Sequence, residues 1–363
     1  MDRNFIIEAG TLLSVEGREE HVSIPEGVHT IAGHVFLHPE KIRAITLPET
    51  VTELEEHAFE GCTGLEKIEL PKSLRIIDDH AFAHCEALRE LMIPEGVETV
   101  GDECFEHCRK LEKVSFPDSI SNLGRAMFYG CESLQDVRFP KGWSTIDLSG
   151  CFGLKSFQVP EGAEVIDFYQ CRALERVNIP RSVTCIEYKS FAYCASLREL
   201  VIPDGVCAIE DFAFEHCRSL ESIVIPDSVV SIGRRAFAGC SSLKSVKLPL
   251  GLETLSDEVF SGCKALARAE LPAGLKSIGR ESFAGCAAIS AIKIPETVES
   301  IGADAFSGCE SLKSIECVNP ALLNAGTVRN SPYGEKRRIC SHCGAKLRLF
   351  GGCSRCKKPR KYK

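Results

Sequence analysis

Thirteen prolines recur along this chain at near-constant steps: Pro25, Pro48, Pro71, Pro94, Pro117, Pro140, Pro160, Pro180, Pro203, Pro226, Pro249, Pro272 and Pro295. A proline at position i is followed by the next at i+23, except for two i+20 steps that begin at Pro140 and Pro160. Twelve cysteines keep the same period: Cys62, Cys85, Cys108, Cys131, Cys151, Cys171, Cys194, Cys217, Cys240, Cys263, Cys286 and Cys309. Counted from its proline at i, each stands at i+14 in a long unit and at i+11 in a short one. Such a period marks stacked supersecondary units, none of which can bury its apolar face alone. The sequence therefore predicts one array of thirteen units from about residue 20 to residue 318.

The unit that begins at Pro48 shows the physics. Val51, Leu54, Ala58-Phe59, Cys62, Leu65, Ile68 and Leu70 are apolar, and polar residues fill the gaps. Ile68 and Leu70 alternate with Lys67 and Glu69, the period-2 pattern of a strand with one buried face. Pro71 then ends the strand, having no N–H to give a ladder. Val51 to Leu54 can form a second short extended segment. Ala58, Phe59 and Cys62 have the spacing of a single helical or 3₁₀ turn. With strands about 4.7–4.9 Å apart, thirteen coils predict a curved rod on the order of 60 Å long.

This unit reads P-x-x-[VLI]-x-x-[ILV]-x(5 or 2)-F-x-x-C-x-x-L-x-x-[IV]-x-[ILVF]-P, with minor exceptions. It resembles the BspA-type leucine-rich repeat over about 300 of the 363 residues. The resemblance implies a right-handed repeat solenoid, mainly β with short 3₁₀ or helical turns. Its thirteen coils take either the short i+20 or the long i+23 step. The resemblance also implies binding rather than catalysis, since well-known relatives are secreted or surface proteins that attach to host or matrix proteins. The opening Phe5-Ile6-Ile7-Glu8-Ala9-Gly10-Thr11-Leu12-Leu13 looks like the strand pair that often starts such arrays. The layout expected is cap strands over 1–24, the solenoid over 25–318, a cap or linker over 319–336 and a basic zinc ribbon over 337–363.

Regular cysteines in a secreted chain would suggest disulfides, and neighbouring coils are close enough for them. A cysteine at one core offset in every coil nevertheless behaves as a small buried hydrophobe, and the expectation is free thiols. Off the ladder, Cys104, Cys185, Cys207 and Cys317 are expected in core or half-buried places. His84, His107 and His216 precede ladder cysteines, but adjacent residues in a turn point apart, so they read as surface histidines. The start of the sequence has no basic segment followed by an apolar one, and so does not read as a secretory signal. With reduced thiols this predicts a cytoplasmic location. No stretch approaches the roughly 20 apolar residues of a membrane helix.

Beyond Cys309 the repeat fades, and a second motif appears. Cys340-Ser341-His342-Cys343 and Cys353-Ser354-Arg355-Cys356 make C-x2-C-x9-C-x2-C. Each pair can grip one side of a tetrahedral ion, and so short a segment needs metal to fold. The segment resembles a short zinc ribbon, which implies one structural Zn²⁺ on Cys340, Cys343, Cys353 and Cys356. An iron site and two redox pairs are the alternatives. Residues 334–363 hold eleven Lys or Arg and one Glu, leaving 32 basic and 50 acidic residues before them. Through Lys346, Arg348, Arg355, Lys357, Lys358, Arg360 and Lys361 the tail could neutralise phosphates of a nucleic acid. It could equally meet a protein or only solvate a tiny domain. Few aromatics, Tyr333, Phe350 and Tyr362, accompany it as stacking platforms.

No phosphate loop, dinucleotide fingerprint, H-E-x-x-H or G-x-S-x-G motif is present, so no enzyme is expected. The outward strand residues carry mixed charge, the pattern of a solvated face. The local anomaly is the middle. Trp143, the one tryptophan, lies in the first short unit, and Tyr129, Tyr169, Tyr188 and Tyr193 lie within residues 129–193. Shortened loops there should flatten or indent one flank, and exposed aromatics beside Arg138 and Arg176 would anchor a protein partner. Alternatively Trp143 and Tyr169 only fill space left by the short coils. The reading is a non-catalytic macromolecular interaction protein with a protein partner. A nucleic-acid-associated factor acting through the ribbon, and an exported or surface adhesin, are the alternatives.

Overall fold

The computed structural model describes residues 5–323 and 326–333. The chain forms two compact units, Met1–Phe157 with Gln170–Leu174, and Gln158–Tyr169 with Glu175–Lys363. Cys340, Cys343, Cys353 and Cys356, and the basic residues Lys346, Arg348, Arg355, Lys357, Lys358, Arg360 and Lys361, lie outside the described residues. Among the described residues no helix is long and apolar enough to cross a membrane.

In the first unit Phe5–Glu8 folds back antiparallel on Thr11–Val15, which pairs in parallel with Thr30–Ile31. One strand then joins per coil: Glu53–Leu54, Ile76–Ile77, Thr99–Val100 and Asn122–Leu123. A second set lies just before the prolines. His21–Ser23, Ala44–Thr46 and Lys67–Glu69 pair in parallel, as do Glu90–Met92, Lys113–Ser115 and Asp136–Arg138. The middle residue of each is buried and its first neighbour exposed or half-exposed, as the alternation requires. The second unit repeats the pattern. Cys185–Ile186, Ala208–Ile209 and Ser231–Ile232 form one run, and Thr254–Leu255, Ser277–Ile278 and Ser300–Ile301 another.

The segment expected to be a helical turn is something else. Turn bonds and inter-coil bonds alternate residue by residue. Ala58, Glu60 and Cys62 donate N–H three residues back, to Glu55, His57 and Phe59. His57, Phe59 and Gly61 donate forward, to the carbonyls of Asp79, Ala81 and Ala83 in the next coil. A helix cannot do this, because its N–H groups all point one way. Left-handed backbone at His57 (φ 62°) and Gly61 (φ 72°) resets the direction. Both positions recur, five residues and one residue before each ladder cysteine of the long coils.

The core is a stack of equivalent side chains. Phe36, Phe59, Phe82, Phe105 and Phe128 have ring centroids 5.2–5.8 Å apart in the first unit. Phe168, Phe191, Phe214, Phe237, Phe260, Phe283 and Phe306 stack at 5.2–5.5 Å in the second. Leu148 takes the phenylalanine position in the first short coil and is fully buried. All twelve ladder cysteines are free and buried. Of the others, Cys104 is buried and Cys185 and Cys317 are half-buried. Cys207, expected to be at least half-buried, is exposed. It sits at an outward strand-entry position, where its thiol meets the carbonyl of Gly205 at 3.3 Å. After the last coil, Gly326, Thr327 and Arg329 offer carbonyls to Asp304, Phe306 and Gly308, as a further coil would.

Candidate interaction surface

The two short coils lack the first turn of the long ones. Ile146-Asp147-Leu148 and Ile166-Asp167-Phe168 run directly from strand to core residue. Aspartate replaces the missing backbone. Asp147 accepts from the Ala126 N–H at 2.9 Å, the group that would otherwise bond forward to a turn carbonyl, and from Ser149 N–H at 2.9 Å. Asp167 accepts from Tyr169 N–H at 2.8 Å.

In the second unit this brings Tyr169 beside Tyr193, edge to face at 6.2 Å between centroids. Lys189 Nζ lies 5.8 Å from the Tyr169 ring centroid, 5.0 Å from Tyr188 and 5.9 Å from Phe212. Its hydrogen bond with Tyr188 holds the ammonium pKa above the usual lysine value. Tyr188 packs edge to face on Phe212 at 5.7 Å and remains 54% exposed. Arg235 lies 5.6 Å from the Phe212 ring centroid and pairs with the buried Glu215 at 2.9 Å. Tyr193 meets His216 at 5.1 Å. Three expected tyrosines, Tyr169, Tyr188 and Tyr193, therefore share one surface.

The other expected residues sit elsewhere. Tyr129 belongs to the first unit and is half-buried against His107 (5.9 Å) and Phe152 (5.6 Å). Arg138, at a strand end of that unit, is exposed and pairs with Asp118 at 3.4 Å. Arg176 opens the strand Arg176–Val177 and is exposed. Trp143 is half-buried, its N–H closing a turn on Pro140 at 3.2 Å.

Lys189, Phe212 and Arg235 were not singled out from sequence, and His216 was read only as a surface histidine. Their signal was positional. Lys189, Phe212 and Arg235 occupy the first left-handed position of successive coils, and Tyr193 and His216 the second. Seven of the twelve residues before ladder cysteines are glycine, which suits that backbone, whereas Tyr193 holds φ 65° there; at the first left-handed position Phe212 holds φ 62°. A bulky aromatic there is an outlier that packing alone does not require.

A groove lined by Val230, Ser231, Ile232, Gly251, Glu253, Thr254 and Ser256 holds about 390 Å³ and presents one titratable group, Glu253.

Comparison with known proteins agrees with this architecture. The profile of the BspA type leucine rich repeat region matches residues 18–135, 57–167, 164–289 and 207–324. A leucine-rich repeat protein from Bacteroides ovatus superposes with TM-score 0.79 at 31% identity, over 86% of each chain. A leucine rich cell surface protein from Faecalibacterium prausnitzii has TM-score 0.60 and 27% identity, over 90% of this chain and 96% of that one. A leucine-rich repeat protein from Eubacterium ventriosum shares the fold, with TM-score 0.52 at 21% identity over 88% and 94%. No curated protein matches the chain significantly. Repeat motif, coil geometry and profile agree: the chain belongs to the BspA-type leucine-rich repeat family.

Proposed function

We propose that this is a non-catalytic interaction protein that recognises a protein partner through Tyr169, Tyr188, Lys189, Tyr193, Phe212 and Arg235. The observation that carries the reading is the left-handed backbone under Tyr193, Phe212, Lys189 and Arg235. Bulky side chains in that conformation cost about 1–3 kcal/mol each, and here they build an aromatic and cationic surface rather than a core. Such residues are the usual anchors of protein interfaces. Tyr129, Arg138 and Arg176 are peripheral to this reading. The test is retention of proteins from a nuclease-treated native lysate. Tyr188→Ala with Tyr193→Gly should lose partners that the parent chain holds; an unchanged set of retained proteins overturns the assignment.

The tail extends the reading. One Zn²⁺ on Cys340, Cys343, Cys353 and Cys356 would organise a basic ribbon, with Lys346, Arg348, Arg355, Lys357, Lys358, Arg360 and Lys361 free to meet phosphates. Retained nucleic acid that disappears with Cys340→Ser and Cys353→Ser would make this the principal contact. As to location, free thiols, one of them the exposed Cys207, suit a reducing compartment such as the cytoplasm. Likeness to a cell surface protein of F. prausnitzii speaks for a surface location instead. Protease added to intact cells distinguishes them, since only a surface chain is cut.

A further inference from the structure

We propose that His34, His57 and Glu60, in the first unit, form a binding site for a zinc-like divalent transition metal ion. His34, His57 and His80 stand one period apart, each at the first left-handed position of its coil (φ 53°, 62° and 53°). Packing does not demand histidine there, since other coils carry Glu103, Ala126, Phe212 or Glu258. The rings of His34 and His57 stack with centroids 4.8 Å apart, and Glu60 is on the same turn as His57. Glu60 Oε2 is 2.9 Å from His57 Nδ1 and 3.7 Å from His34 Nδ1, and one donor atom from each residue falls within a 4.8 Å cluster. Zinc with bonds of about 2.0–2.2 Å to nitrogen and oxygen sets its tetrahedral ligands roughly 3.3–3.4 Å apart. The two measured separations bracket that value.

Two further observations point to a cation. The other ring nitrogen of His57, Nε2, lies 3.0 Å from Glu56 Oε1. A carboxylate beside the outer nitrogen is the usual support of a metal-binding histidine, and a proton held there would leave Nδ1 free to ligate. That Nδ1 is shielded from solvent and makes no hydrogen bond, although a carboxylate oxygen is 2.9 Å away. A metal ion bound beside Nδ1 and the Glu60 carboxylate would give both a partner. The imidazole planes differ by only 12°, so their lone pairs run nearly parallel and one ring must turn about χ2 to converge. That torsion is soft. Three protein ligands leave a fourth position open, and His34, 66% exposed, puts it on the surface. Bound there, the ion would tie the first two coils together. His80 with Glu103 and Glu106 repeats the pattern at 3.8 Å, but with a single imidazole.

The site is independent of the partner surface in the second unit. The experiment is equilibrium dialysis of the full chain against buffered free Zn²⁺, with bound metal counted by atomic absorption. His34→Asn with His57→Asn keeps residues that tolerate left-handed backbone, and Glu60→Gln removes the carboxylate without touching that backbone. Each should bind one ion fewer than the parent, or bind it at least about tenfold more weakly, the scale that even outer-shell changes reach. Cys340→Ser with Cys343→Ser should leave this ion in place. Substituted Co²⁺ should bind here without a thiolate charge-transfer band. Unchanged zinc stoichiometry and affinity in both the histidine and the Glu60 variants overturns the proposal. Loss of all bound zinc in the cysteine variant overturns it as well.

Discussion

A thiol suits the ladder position because it is small, apolar and still a donor. Each ladder Sγ from Cys85 onward lies 3.0–3.7 Å from a carbonyl of the coil before, that of Phe59 for Cys85 and of Phe237 for Cys263. The Phe59 carbonyl also accepts the turn N–H of Cys62, so the thiol takes its second lone pair. Alanine would leave that lone pair dry and a cavity beside the phenylalanine stack. Cys263→Ala should therefore cost about 1–3 kcal/mol, read as a lower urea midpoint. The left-handed residues give the opposite sign. Tyr193→Gly should hold or raise stability by up to about 1 kcal/mol, because glycine relieves the φ 65° backbone. The same substitution should lose partner binding. A variant both weaker in binding and clearly less stable would make Tyr193 a packing residue.

At the scale of the element, the short coil is a turn deleted and an aspartate inserted. Asp147 stands where a backbone carbonyl would be and holds two N–H groups. Asp147→Ala should cost about 1.5–3 kcal/mol, the range for hydrogen bonds to a charged group. Asp204→Ala, at an exposed position, should stay within about 0.5 kcal/mol. Equal urea midpoints for the two variants would mean that water replaces the carboxylate without loss. The signature Ile-Asp-Leu and Ile-Asp-Phe was present in the sequence. It went unread because a shortened step shows that a turn is missing but not which group assumes its hydrogen bonds.

Over the whole molecule, the buried thiols act together on pH dependence. Burial pushes Cys62, Cys108 and Cys309 up to about 12, and Cys85, Cys131, Cys151, Cys217, Cys263 and Cys286 well above the ordinary thiol value of 9.0. A pKa raised in the folded state means that the unfolded chain loses its protons first. The stability is full below pH 9 and falls as pH rises toward 12, by up to about 1.4 kcal/mol per pH unit for each thiol. Urea midpoints should be flat from about pH 7 to pH 8.5 and drop steeply above pH 9.5. A flat profile to pH 11 would show that the ladder thiols reach solvent in the native state. What the sequence by itself determined was the period, the coil boundaries, the buried face of each strand and the thiol ladder. These were legible because the bonds between coils join residues one period apart, typically 22 to 26 positions, so that a pattern along the chain is also a pattern in space. Only the tertiary structure decided which turn residues meet. His34, His57 and Glu60 converge, as do Lys189, Phe212 and Tyr188, because two positive φ angles in each long coil steer their side chains, and hydropathy carries no record of the sign of φ.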